Sequence, residues 1–213
     1  MEKVSVEKQV RAAHFRGHPD SETAADMMAR VLQELQLAGK TIGLEYWTSG
    51  LSHGLALSLT EQVSARWSDV SGLVDALRLV KSAEEQELMR RAARVSDAAG
   101  AGGRPPPPAG APPAQEGGGP QGAGMAAMIR AGGHPPGFGP FIRPGSRLGE
   151  EHATWGDGRF KRGEPVFLEL SGCVTRYHAP LGRLVHIGAI RDEDAKIATV
   201  VRQAFDAVVA AIR

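Results

Sequence analysis

Sixteen of the 25 residues from Gly100 to Gly124 are Gly or Pro, and Pro105 to Pro108 run together without a break. Such a stretch has no apolar periodicity, and the little surface it could bury does not offset the chain entropy lost on ordering. It therefore reads as a flexible linker interrupting whatever folds around it. A shifted reading frame in GC-rich coding sequence would produce the same runs. Directly behind it, Met125 to Arg130 has the pattern of the last turns of a helix whose beginning is missing.

Upstream of this interruption the pattern alternates between helix and strand. Asp20 and Ser21 are competent N-caps, and Ala24, Met28, Val31 and Leu35 follow on one stripe at helical spacing, with a stop near Gly39. Thr41 to Tyr46 alternates as a strand does, and a mixed segment continues to Trp67. Leu73, Leu77 and Val80 form a short helix or close a first domain. Ser82 and Glu85 then have the spacing of a capping box, in which serine oxygen and glutamate carboxylate each accept a free backbone N–H. Behind that box Leu88, Ala92, Val95 and Ala99 share an apolar face, while Arg90, Arg91 and Arg94 fall on the solvent side. The joint at Lys81 and Ser82 separates residues 1–80 from residues 81–213.

Downstream, Gly137 to Gly145 is too rich in ring and glycine constraints for a helix interior and is expected to be an extended edge or a loop. Pro165 to Gly172 alternates around Val166, Leu168 and Leu170, and Leu184 to Ile190 forms a second strand, with Tyr177 and His178 between the two. Asp192 or Asp194 caps a final helix whose face carries Ile197, Val201, Phe205, Val208 and Ile212. The sum is an α/β chain.

The 25 basic and 24 acidic residues are mixed and leave a net charge of +1, so nothing marks a nucleic-acid or anionic-membrane partner. Small or neutral ligands are expected instead. Cys173 stands alone, which excludes an internal disulfide or a thiolate metal site and suits a reducing compartment. No apolar run approaches the roughly 20 residues of a membrane span, and the first residues lack the apolar core of a leader. The chain reads as cytoplasmic.

The order of several short motifs resembles one family. Leu79 to Glu85 followed by Leu88 to Ala92 is similar to the joint between the two domains of creatinases and prolidases, the "pita-bread" hydrolases that include Xaa-Pro aminopeptidases. His152, Arg162 to Leu170, Tyr177, Arg183 and Gly188 continue that family's order, and the likeness covers most of the chain outside residues 100–124. It implies a mixed α/β (α+β) fold. Residues 1–80 would be the C-terminal part of a ribonuclease-H-like small domain, and residues 81–213 part of the pita-bread catalytic domain, interrupted at 100–124. Against the family both ends look incomplete, so inactivity of this chain taken alone is the expectation.

The resemblance also implies roles. Metal-dependent members carry aspartates at the positions that fall here on Glu169 and Pro180. A glutamate can still ligate as a vestigial donor, but a proline side chain has no donor atom. The family's remaining ligands, one histidine and two glutamates, would lie past Arg213, so no metal is expected in this chain; Mn, Co or Zn is the alternative in a complete relative. His152 matches the active-site histidine and is the catalytic candidate, since an imidazole can take a proton from water or give one to a leaving nitrogen. Phe138, Phe141, Arg143 and Trp155 are substrate-binding candidates, because aromatic walls and a fixed cation suit a small zwitterion. Tyr177, His178 and Arg183 join them, Arg183 as a fork for a carboxylate. Each has a structural alternative: core packing for the rings, ion pairing for the arginines, a loop carbonyl for His152.

The implied activity is hydrolysis of a C–N bond in a small amino-acid-like or X-Pro substrate, nearest in pattern to the creatinase and ectoine hydrolase members. A metal-dependent Xaa-Pro dipeptidase and a non-catalytic, partner-binding remnant are the competing readings. A homodimer is expected of a complete member.

Overall fold

The computed structural model describes residues 16–102, 120–154, 156 and 159–212. The chain divides into two compact units, residues 1–80 and residues 81–213.

In the first unit α1 (Ala24–Glu34) starts at Thr23 rather than at Asp20 or Ser21. Thr23 Oγ1 accepts from the Asp26 N–H at 3.2 Å and Asp26 Oδ2 accepts from the Thr23 N–H at 3.0 Å, so this box satisfies two end donors that the earlier residues do not reach. The buried face is also turned from the expected stripe. Ala25 and Ala29 are buried, with Met28 and Leu32 beside them, whereas Leu35 is exposed. Two small side chains let α1 lie close to Leu59 and Val63, which outweighs the size of Val31 and Leu35. The parallel pair β1 (Thr41–Leu44) and β2 (Arg66–Asp69) is joined by α2 (His53–Gln62), and α3 (Leu73–Leu79) follows with no buried residue.

In the second unit α4 (Ala83–Gly102) opens as its sequence predicts: Glu85 Oε2 accepts from the Ser82 N–H at 2.7 Å and Ser82 Oγ from the Glu85 N–H at 3.2 Å. Ala92, Val95 and Ala99 are buried and Leu88 packs against them. The ends of the Gly/Pro-rich stretch depart from the linker expectation. Gly100 to Gly102 complete α4, and Pro120 to Gly124 open α5 (Pro120–Arg130). Proline is at home in a first helical turn, where its missing N–H costs nothing. Gly124 lies against α4, with the Ala99 carbonyl 3.7 Å from where a Cβ would stand. The linker expectation for residues 103–119 falls outside the described residues.

The antiparallel sheet has the order β3-β4-β5, with β3 (Phe141–Pro144) at an edge, β4 (Pro165–Val174) central and β5 (Tyr177–His186) beyond it. The segment around Pro140 is thus an extended edge, as its composition suggests. β5 begins seven residues before the expected Leu184, and Tyr177 and His178 are its first residues rather than a connection. Thr175 and Arg176 close the hairpin alone, both at positive φ (47° and 69°), the geometry of a two-residue turn normally written with Asn or Gly. Last comes α6 (Asp192–Ala211), preceded by Arg191; neither Asp192 nor Asp194 is its cap, because Asp194 is drawn back to Arg191 at 2.7 Å.

The alternation of β4 separates two faces. Val166, Leu168, Leu170 and Val174 are buried; Leu170 and Val174 pack against α4 and Met128 of α5, and Val166 and Leu168 against Ile142 and Phe160. At Gly172 the sheet touches α4 directly, where Ser96 Oγ accepts the Gly172 N–H at 2.7 Å and donates to the Ala179 carbonyl. Ser96 thereby joins α4 to both long strands. No helix among the described residues is long and apolar enough to cross a membrane.

Candidate functional site

The opposite sheet face carries the chemistry. Register partners set Phe141 beside Glu169 and Arg143 beside Phe167; on the far strand Gly182 lies beside Glu169, Pro180 beside Ser171 and His178 beside Cys173. Side chains directly opposite in an antiparallel pair share a face. Glu169 and Pro180 are therefore diagonal neighbours on the face turned away from α4 and α5.

An aromatic group stands over the edge of that face. Phe138 stacks on Phe141 with ring centroids 5.1 Å apart and 11° between planes, and the His152 ring lies 5.3 Å from Phe141 at 56°. His152 is exposed and has φ +53°, a left-handed conformation that costs a non-glycine residue about 1 kcal/mol and persists only where neighbours impose it. Two arginines hold the turn that precedes it. Arg147 grips the Glu150 carboxylate through Nε at 2.9 Å and Nη2 at 2.6 Å, holding that carboxyl below its ordinary range, and Arg143 Nη1 donates to the Glu150 carbonyl. Arg143 is buried with its guanidinium 4.8 Å over the Phe167 ring. It thus braces the turn before His152, and its Nε is buried without a hydrogen-bond partner among the described residues.

The other candidates go different ways. His178 Nε2 accepts from the Gly137 N–H at 3.0 Å, which assigns the proton to Nδ1 facing the Arg176 carbonyl at 2.9 Å. This ring shares the Glu169 face, and its nitrogens are engaged, Nε2 tying the segment of Phe138 to β5 and Nδ1 meeting the hairpin turn. Tyr177 and Arg183 lie on the helix-packed face, contrary to the expectation that they join the cleft, because each is an odd-numbered residue of β5 paired with Val174 and Leu168. Tyr177 donates its hydroxyl to Glu85 Oε1 at 2.6 Å, and this bond, ahead of the Ser82 N–H, draws the Glu85 carboxyl below its ordinary value. Arg183 is exposed and its Nη1 donates to the Gly182 carbonyl at 2.7 Å. Trp155 lies outside the described residues.

Ser171 was not expected at the site. Its hydroxyl is buried on the Glu169 face without a hydrogen-bond partner. The period-two spacing from Glu169 was the available signal, but a strand serine carries none of the chemistry that attracts attention.

Among the described residues, the Glu169 and Pro180 positions on this face present a single carboxylate. Gly182 across from Glu169 has no side chain, and Pro180 diagonal to it offers no side-chain donor atom. Among the described residues no group of three His, Cys, Asp or Glu side chains could hold a metal ion.

Residues 87–213 match the model of metallopeptidase family M24, well over half of the chain. The chain belongs to metallopeptidase family M24. Ectoine hydrolase of Halomonas elongata is 28% identical over 183 residues, covering 82% of this chain and 45% of that protein. The Xaa-Pro dipeptidase of Pyrococcus furiosus is 22% identical, covering 78% and 46%. Among solved structures, an X-Pro aminopeptidase from Thermotoga maritima superposes with a TM-score of 0.78 at 19% identity over 95% of this chain and 54% of its own. A Xaa-Pro dipeptidase from Bacillus anthracis gives 0.75 at 22% with the same coverages. This M24 chain has the creatinase/prolidase pita-bread fold and spans about half the length of the relatives it matches.

Proposed function

We propose that this M24 chain provides the His152 side of a hydrolase acting on a C–N bond in a small, amino-acid-like compound, with no metal bridged between strands β4 and β5. The observation that carries the proposal is the pairing of faces: the Phe138, Phe141 and His152 rings converge beside Glu169, while Pro180 occupies the neighbouring position with no donor atom. The stacked rings would form an apolar wall for the substrate body. His152, exposed and fixed in backbone, would exchange the proton between water and the leaving nitrogen. Glu169 would receive a cationic substrate group. The likeness to ectoine hydrolase supports the substrate class.

Hydrolysis of ectoine, creatine and X-Pro dipeptides by a full-length version, assayed in chelator and again with Mn, Co or Zn, tests the reading, whereas the 213-residue chain alone is expected to be inactive. Chelator-insensitive turnover abolished by His152→Ala is the expected result. The second reading, a metal-dependent Xaa-Pro dipeptidase, is favoured by the prolidase likeness and requires turnover only with added metal, at stoichiometric binding lost in Glu169→Gln. Absence of turnover under every condition overturns both in favour of a non-catalytic role.

A further inference from the structure

The chain between α5 and β3 has little of its own to hold it. Residues 134–139 are all exposed or half-buried except that none reaches the core, and Pro135 and Pro136 bring no N–H to a ladder. Packing into the core therefore does not fix where Phe138 stands. Hydrogen bonds to the β4–β5 hairpin do. The His134 N–H donates to the Cys173 carbonyl at 2.7 Å, and the Thr175 N–H donates back to His134 Nδ1 at 3.0 Å. Arg176 Nη1 donates to the Pro135 carbonyl at 3.1 Å, and the Gly137 N–H to His178 Nε2 at 3.0 Å.

Two of these bonds end on imidazole nitrogens used as acceptors, which makes the rings opposite tautomers. His134 carries its proton on Nε2 and His178 on Nδ1. The hairpin turn belongs to the same arrangement. Thr175 and Arg176 both sit at positive φ, a conformation unfavourable to residues with a Cβ and kept only where the surroundings over-determine it. Asparagine and glycine would make such a turn with less strain, but neither carries the guanidinium that meets Pro135. The last tie falls on the residue directly before Phe138. That ring, 57% exposed, stacks on Phe141, which pairs with Glu169 across β3 and β4.

We propose that His134 and His178 are positioning residues, clasping this segment to the hairpin tip so that Phe138 closes the aromatic wall beside Glu169. The use of the wall rests on the function proposed above; the clasp itself does not, and the two are tested apart.

Nuclear magnetic resonance of the 213-residue chain tests the clasp. Nitrogen shifts are expected to place the proton on Nε2 of His134 and on Nδ1 of His178, with Overhauser contacts between the Phe138 and Phe141 rings. His178→Ala is expected to speed exchange of the Gly137 amide about 3- to 10-fold and to weaken the ring contact, and His134→Ala to do the same with the Thr175 amide. His178→Gln and His134→Asn are expected to restore protection, because each amide oxygen lies as many bonds from Cβ as the ring nitrogen it replaces. Alanine variants that lose stability yet keep the ring contact overturn the proposal, as does the other tautomer at either histidine or a failure of both amide variants to rescue. In a full-length version, His178→Ala and Phe138→Ala are each expected to raise KM about 3- to 10-fold with kcat held, and together no more than either alone. Additive effects overturn the link to the wall. A full-length wild type without turnover overturns the function proposed above, while the spectra still decide the clasp.

Discussion

Replacing Gly172 by alanine attacks the point at which sheet and helix touch. A methyl group there would collide with the Ala92 carbonyl and stand 2.7 Å from the Ser96 amide nitrogen and 2.8 Å from its hydroxyl. Two of these atoms belong to the α4 backbone and cannot turn aside, so α4 must withdraw from β4 by roughly 0.5–1 Å to restore ordinary contact distances. That withdrawal breaks the Gly172 N–H bond to Ser96 Oγ and the bond from Ser96 to the Ala179 carbonyl. Overpacking costs about 1–3 kcal/mol and a buried group left unsatisfied about 1–3 kcal/mol, giving a loss of about 2–6 kcal/mol. Against a typical domain stability of about 5–15 kcal/mol that is a large fraction. Urea unfolding followed by circular dichroism, together with hydrogen exchange of the β4 amides, measures it. Gly182→Ala serves as the comparison, because nothing lies within 4 Å of a Cβ there, and its effect is expected to stay within about 1 kcal/mol. A Gly172→Ala loss no larger than the Gly182→Ala loss would refute the close contact.

The Glu85 carboxyl is lowered mainly by the Tyr177 hydroxyl, so the stability this pair supplies is present above the ordinary glutamate range and is lost as pH falls through the lowered value. Tyr177→Phe should therefore unfold at lower urea than wild type at neutral pH, with a gap that narrows as pH falls below the ordinary glutamate range; a gap that widens on acidification would contradict the assignment. Thr23→Ala removes the side-chain acceptor that starts α1 and should cost about 1 kcal/mol, read as faster hydrogen exchange along α1, whereas Thr23→Ser should keep most of the protection.

The parts of the fold legible in the sequence are those where independent local signals agree. Helix α4 combined a capping box with an apolar face, and β4 combined β-branched and leucine residues with strict alternation. The start of β5 was hidden because Thr175 and Arg176 make a turn without the glycine or asparagine that usually announces one. That single boundary then misled the reading of the site. With pairing known to begin at Tyr177, the two-residue period alone separates Tyr177 and Arg183 from His178 and Pro180. The face of α1 was misread because alanines weigh little in a hydrophobic stripe yet permit the closest approach. Residue type could not distinguish an arginine awaiting a ligand from Arg143, which is spent on the Glu150 carbonyl and the Phe167 ring.

The buried guanidinium beneath the His152 turn ties surface chemistry to the interior. Phe167 is a shim under the Arg143 guanidinium: a bulkier or smaller ring there would tilt the guanidinium and loosen its hold on the Glu150 carbonyl, two residues before His152. A change at half-buried Phe167 would then reach an exposed histidine through one cation and one carbonyl.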